Sequence, residues 1–381
     1  MDRHPWLKYY DEGVPRTPYP YPQRTMIEVV DKSAKAKPYR AMLYFKGARL
    51  LYDDFVRQSD SLAAGLVALG VKRGDRVALL LPNSPQMVLS FHGIWKAGAI
   101  AVPVDPLYTE RQLEQALAEV DAAAVIVLNP YYRAVKNIQA GTAVRAVIAT
   151  SIKEYMPAHL GLLFTLAREK KDGSRISLQK GDVWFQHLLR KYKNAPRPDI
   201  SVKPADPAVI LFSGDKAGAP KSAAGTHEAL MMTATQINAW LSPPLEQWED
   251  KVALAMPLFH VFGCVGALGT AMVNRSSCIL IPNPGDLTDV VKSVQKFKPA
   301  LMPGEPAFYT GIMNHPVVKS GKVKLDSLKL CIVGAAPLVE GWLYTGGTGY
   351  MDGKGQLFRQ ISKKKIIKKA VRKKPAATVA K

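Results

Sequence analysis

Apolar residues recur at helical spacing from Asp53 to Leu69, with Phe55, Leu62, Leu66 and Leu69 on one face, which predicts a helix packed on a core. Asp53 and Asp54 stand at the positive end of its dipole, and Gly70 stops it. Val77–Leu81 follows as a short apolar strand. Thr109 and Gln112 have the spacing of a capping box, ahead of Leu113, Ala116, Leu117 and Val120 on a second helical face. Ala122–Leu128 returns as a strand, and further strands are expected at Val144–Ala149, Ala208–Phe212, Val252–Ala255, Cys278–Pro282 and Leu330–Val333. This alternation predicts an α/β fold of layered parallel sheets flanked by helices. Ile152–Leu188 is a looser, more polar insertion, in which Leu160–Leu166 reads as an amphipathic surface facing a membrane or an acyl channel.

A length of 381 residues, 48% of them apolar, allows a large core in two or three subdomains and excludes disorder for most of the chain. From Val252 to Val273 the chain runs 22 residues without Asp, Glu, Lys or Arg, enough to cross a bilayer. Pro257, His260, Gly263, Gly266 and Gly269 interrupt it, so a buried strand, a turn and a core helix are expected instead. Cys264, Cys278 and Cys331 are widely spaced and suggest neither a zinc site nor a disulfide framework. The amino terminus lacks the apolar core of a signal peptide, which points to a cytoplasmic protein.

Charge changes the picture at one end. Of the formal +21, about half comes from the segment after Gly353, which holds eleven Lys or Arg and no acid. That tail reads either as a solvated, disordered extension or as a nonspecific attractor of nucleic acid or an anionic membrane.

The candidate chemistry lies in residues 208–227. There an apolar run ends in a loop carrying Ser213, Gly214, Asp215, Lys216, Gly218, Pro220 and Lys221. Glycines let backbone N–H groups approach phosphate oxygens, while Ser213 and Lys221 add a hydroxyl and a charge, so a nucleotide triphosphate is the expected ligand. An Asp215 carboxylate facing phosphates requires Mg²⁺ or Lys216 to compensate it. The spacing differs from the common phosphate loop, in which a Lys-Ser/Thr pair follows the second glycine and opens a helix. An ordinary strand-to-helix turn is the competing reading of the same residues.

The loop, followed by Thr226 and His227, resembles the T-S-G-T-T-G-x-P-K-G signature of the adenylate-forming acyl-CoA synthetases. Other segments resemble that family in its order. They are Leu51-Tyr52-Asp53-Asp54-Phe55, Gly70 through Val77 with Asn83-Ser84, Lys96-Ala97-Gly98-Ala99 with Val102-Pro103, Met256-Pro257-Leu258-Phe259-His260, Gly334-Ala335-Ala336-Pro337-Leu338, and Gly341-Trp342-Leu343-Tyr344-Thr345-Gly346. The long-chain fatty acid branch is the nearest in pattern. The resemblance implies ATP-dependent activation of a fatty acid to acyl-AMP and then acyl-CoA, with ATP, Mg²⁺ and coenzyme A as cofactors or substrates. By the same resemblance, Ser213, Gly214, Gly218, Pro220 and Lys221 would hold phosphates, and Gly334, Ala335, Ala336 and Pro337 would pack the adenine. Lys221 and His260 would be the catalytic pair, His260 lining the junction of acyl and coenzyme A channels.

The chain departs from the family pattern after Leu338, where Glu340 and Gly341 adjoin and the family's Y-G-x-T-E motif and β-barrel subdomain are skipped. Gly347 stands where the family has a ribose-binding aspartate, and of the hinge motif only Lys363 and Lys364 remain. The resemblance therefore implies a partial adenylate-forming domain over 1–340, a remnant over 341–353 and a basic tail over 354–381, with the C-terminal lid largely missing. Two rivals to an acyl-CoA ligase stay open, namely a non-catalytic acyl or nucleotide binder and a basic-tailed binder of nucleic acid or membrane.

Overall fold

The computed structural model describes residues 5–167, 169, 173–212 and 220–333, with the strand residues 342–344, 348–351 and 357–360. A seven-stranded sheet is built from β3 (Arg76–Leu80), β4 (Ile100–Pro103), β5 (Ala122–Leu128), β6 (Ala146–Thr150), β7 (Val183–Trp184), β8 (Pro207–Phe212) and β9 (Ser222–Thr226), in the order β7-β6-β5-β3-β4-β8-β9. A six-stranded sheet is built from β1 (Ala41–Phe45), β2 (Ala48–Leu51), β10 (Lys251–Leu254), β11 (Ser277–Leu280), β12 (Leu301–Gly304) and β13 (Leu330–Val333), in the order β13-β12-β10-β11-β1-β2. Interior pairings are parallel, and the edges formed by β9 and β2 are antiparallel.

Strand alternation explains why both faces of each sheet are covered. Val77, Leu79 and Leu81 point into a core that also contains Leu254, Leu280, Leu301 and Leu330 of the other sheet. Sandwiched in this shared core are α2 (Tyr52–Ala68), α3 (Pro85–Lys96) and α8 (His227–Leu241). Ala78 and Leu80 point the other way, onto α4 (Glu110–Glu119) and α5 (Tyr132–Ile138). The outer face of the six-stranded sheet is closed by α10 (Leu287–Phe297) and α11 (Pro306–Asn314). The result is five layers, helix–sheet–helix–sheet–helix, the covered parallel architecture the alternation predicts.

Local chemistry fixes the elements. Helix α2 buries Phe55, Leu62 and Leu66 completely and ends at Gly70, whose φ of +86° suits glycine. The capping box of α4 is present, with Thr109 Oγ1 accepting from Gln112 N at 3.3 Å and Gln112 Oε1 accepting from Thr109 N at 3.0 Å. The same box, Thr25 with Glu28, opens α1 (Met26–Ala36), a helix the sequence reading passes over. It also passes over β1 and β2, joined at Lys46-Gly47, where φ values of 48° and 99° make the two-residue turn that matches strand twist. Residues 357–360, in the stretch expected as tail, form β16 (Leu357–Gln360), pairing antiparallel with β15 (Thr348–Met351), itself paired with β14 (Trp342–Tyr344).

The uncharged run from Val252 resolves into β10, a turn, a π-helix over Phe262–Gly269 and α9 (Thr270–Val273). Among the described residues no helix is long and apolar enough to cross a membrane. In the insertion, α6 (Ala158–Ala167) buries none of its residues and leaves Leu162, Leu163 and Leu166 exposed.

Candidate functional site

Ligands of parallel α/β sheets sit beyond the carboxyl ends of the strands. Three of these ends carry the segments singled out in the sequence: β8 leads to 213–221, β10 to Pro257–His260, and β13 to 334–337. Ser213, Gly214, Gly218, Gly334, Ala335, Ala336 and Pro337 lie outside the described residues, as does Asp215. Pro220, Lys221 and His260 are described.

The loop after Phe212 does not enter a helix. It closes a hairpin in which Phe212 pairs with Ser222, so Lys221 stands at the mouth, one residue outside the ladder. Pro220 is buried and Lys221 exposed, leaving the ammonium in solvent at the loop's end. Strand β9 then delivers Thr226 to cap α8, its Oγ1 accepting from Ala229 N at 3.1 Å. His227, which the motif places beside the site, is instead in the core, its ring 5.3 Å from that of Trp95. Burial lowers its pKa to about 4, so it is neutral at physiological pH.

The turn carrying His260 is held by a side chain from the other sheet. Asn83, 3% exposed and just beyond β3, donates through Nδ2 to Leu254 O and Met256 O and accepts at Oδ1 from Leu258 N, all at 2.9 Å. Every one of these bonds joins the carboxyl ends of the two sheets. Gly263 lets the following helix close on this turn, since a Cβ there would fall 2.0 Å from Pro257 O. His260 is half-buried, and its Nδ1 accepts from Phe262 N at 3.3 Å. Accepting at Nδ1 leaves Nε2 as the ring nitrogen able to donate.

Helix geometry opens a space behind that histidine. An apolar cavity of about 210 Å³ lies between Ile237, Trp240 and Leu241 of α8, Phe262 and Gly266 of the π-helix, and Pro303 and Ile332 of β12 and β13. A side chain at Gly266 would come within 3.0 Å of Phe262, so glycine keeps this wall thin. Phe262 thus touches the cavity with its ring and His260 with its N–H. Wide helical turns of the π type concentrate where a side chain or ligand must be fitted.

The end of β13 is fixed by Tyr309 of α11. Its hydroxyl lies 2.6 Å from Met302 O and 2.9 Å from Ile332 O, sharing one proton between two strands. Burial raises its pKa well above the ordinary range. Asn83 and Tyr309 are the positioning residues that sequence reading misses. Asn83 lies within a quoted motif, but its partners are more than 170 positions away. The three cysteines are free, and burial pushes each thiol up to about 12.

Residues 30–345 match the AMP-binding enzyme family. The long-chain-fatty-acid–CoA ligase of Bacillus subtilis (strain 168) is 30% identical over 339 residues, which cover 89% of this chain and 60% of that protein. The Yersinia pestis long-chain-fatty-acid–CoA ligase is 27% identical over 357 residues, covering 92% of this chain and 63% of its own length. The chain therefore spans about three-fifths of these relatives. Among solved structures, a long-chain-fatty-acid-CoA ligase from Archaeoglobus fulgidus superposes with a TM-score of 0.69 at 19% identity, over 87% of this chain and 61% of that one. With the fold shared and the family model matched across most of its length, the chain belongs to the AMP-binding enzyme family.

Proposed function

We propose that this chain binds a long-chain fatty acid and ATP and forms the acyl adenylate, the first step toward an acyl-CoA. The largely apolar cavity lined by Phe262, whose N–H bonds His260, carries this reading, because such walls suit an alkyl chain with its carboxylate toward the histidine. A carboxylate oxygen attacks the α-phosphorus of Mg·ATP, the bond from that phosphorus to the bridging oxygen breaks, and pyrophosphate leaves. The acid is already ionised at neutral pH and needs no general base. Lys221, at the mouth of the hairpin, offsets charge building on the departing pyrophosphate. His260 donates from Nε2 toward the acyl phosphate junction, and coenzyme A thiolate then attacks the carbonyl carbon and expels AMP.

Mg²⁺ enters here with ATP as substrate. Among the described residues no group of three His, Cys, Asp or Glu side chains is arranged to hold a metal. What supports a peripheral contact with an anionic membrane, as the source of the acid, is the exposed leucine face of α6. Nucleic acid would be met only nonspecifically, through the basic tail.

ATP–pyrophosphate exchange with palmitate tests the proposal. Exchange that depends on palmitate and falls about 100-fold in Lys221→Ala is the expected result. Palmitate and ATP raising the melting temperature without any exchange would replace the ligase by a non-catalytic binder.

A further inference from the structure

A cleft of about 480 Å³ opens at the opposite end of the six-stranded sheet from the candidate site. Its floor is formed by the first residues of three strands, Ala41 of β1, Lys251 of β10 and Ser277 of β11. Ser277 Oγ donates to Ala41 O at 2.6 Å, closing the floor with a neutral bond. The walls add Lys37, Arg40 and Arg49 against a single acid, Glu249. That acid is taken by Arg40 at 3.1 Å. Lys37 lies over the Trp248 ring at 5.0 Å, and among the described residues Lys37, Arg49 and Lys251 have no acidic partner. Three cations without acidic partners around one cleft form a field for an anion, with a guanidinium fork suited to two phosphate oxygens and ammonium groups acting as point charges.

We propose that this cleft binds a phosphate-bearing anion at a site separate from the nucleotide loop. Its volume falls in the range of small-molecule sites, roughly 300–1,000 Å³, enough for a diphosphate or a phosphate ester. The phosphate has two sources, a soluble ester or a phospholipid headgroup. Arg49 links the cleft to an exposed apolar segment that bears on the second. Arg49 also lines a neighbouring pocket with Tyr155 and Met156, immediately before α6. The hairpin tip at Gly47 approaches Pro157, to whose Cγ a Cβ at Gly47 would lie 3.7 Å. Leu162, Leu163 and Leu166 of the α6 that follows are 60–77% exposed.

Calorimetric titration with inorganic pyrophosphate separates this site from the nucleotide loop when run on the parent chain and on Arg49→Glu, Lys251→Glu and Lys221→Ala. The expected result is binding that persists in Lys221→Ala and weakens about tenfold or more in each cleft variant. Flotation with phosphatidylglycerol-containing vesicles reads the other source. Capture lost in Arg49→Glu and Lys251→Glu, and also in Leu162→Ser/Leu166→Ser, assigns the phosphate to lipid even where free pyrophosphate is not bound. Binding of both probes that is indifferent to Arg49 and Lys251, or of neither probe, overturns the proposal. Arg49→Gln repeats the measurement should a charge-reversed variant fail to melt like the parent.

Discussion

The two ends of α3 are held by opposite chemistry. At its start, Ser84 caps the helix, accepting from Met87 N at 3.3 Å, and the adjoining Asn83 ties the sheets together through neutral bonds alone. At its end, Lys96 carries a full charge into the core with its side chain 1% exposed. Lys96 Nζ lies 2.8 Å from Asp60 and 3.8 Å from Asp31, and donates to Ser59 Oγ at 2.7 Å. Arg197 closes the group, bonding Asp31 at 2.7 Å and Asp60 at 2.6 Å. Two cations and two carboxylates leave the cluster neutral as a whole, which is what permits its burial. Burial is also the largest influence on Lys96, lowering its pKa against the opposing pull of Asp60. The neutral end sits at the strand ends where chemistry is proposed, and the ionic end sits among α1, α2 and α3, away from it.

The largest break in this pairing is expected at the ionic end. Lys96→Met leaves two carboxylates with one half-exposed guanidinium, and loss of one partner from a buried pair costs about 3–5 kcal/mol. Urea denaturation followed by circular dichroism measures it, while ATP–pyrophosphate exchange per folded molecule should stay at the parent's value. A cost under about 1 kcal/mol would mean that the cluster behaves as a surface pair.

Asn83→Ala comes next, and it separates the two ends by what is lost. Three hydrogen bonds disappear, and at about 1 kcal/mol net for each the cost is about 3 kcal/mol. Here exchange activity should fall as well, by about tenfold or more, because the turn that orients His260 is released. Unchanged exchange with lowered stability would reduce Asn83 to a structural residue.

How far either end is legible in the sequence follows from where its partners lie. Periodicity locates α2, β5, β8 and β13, and the Thr109–Gln112 spacing opens α4, since these signals are local. Lys96 reads as part of the Lys96-Ala97-Gly98-Ala99 motif, yet its role is set by residues 31, 60 and 197, which no local pattern connects. Asn83 reads only as part of the Asn83-Ser84 motif for the same reason. Strand β9, made of Ser, Ala, Gly and Thr, has no apolar alternation to announce it, and pairing with β8 decides its conformation. His227 shows the limit of a motif, which places a residue type at a position and leaves its surroundings to the fold.

The smallest expected effect tests whether the neutral end is neutral at every pH. Glu154 packs near the first turn of α3, where Gln86 Nε2 donates to Ser151 O at 2.8 Å and Glu154 accepts from Thr150 Oγ1 at 2.6 Å. Burial, only partly offset by those donors, raises its pKa from 4.5 to about 7. The unfolded chain releases this proton first and the folded chain holds it longer. Stability from this group is therefore complete below pH 4.5, falls as pH rises toward 7, and is lost above it. The difference is of order 2–3 kcal/mol between pH 4.5 and 8. Glu154→Gln keeps the shape without the proton and should flatten that part of the profile, becoming more stable than the parent above pH 7. A parent and variant whose unfolding free energies run parallel across this interval would show a carboxyl that ionises freely, and the start of α3 would then tolerate charge as its end does.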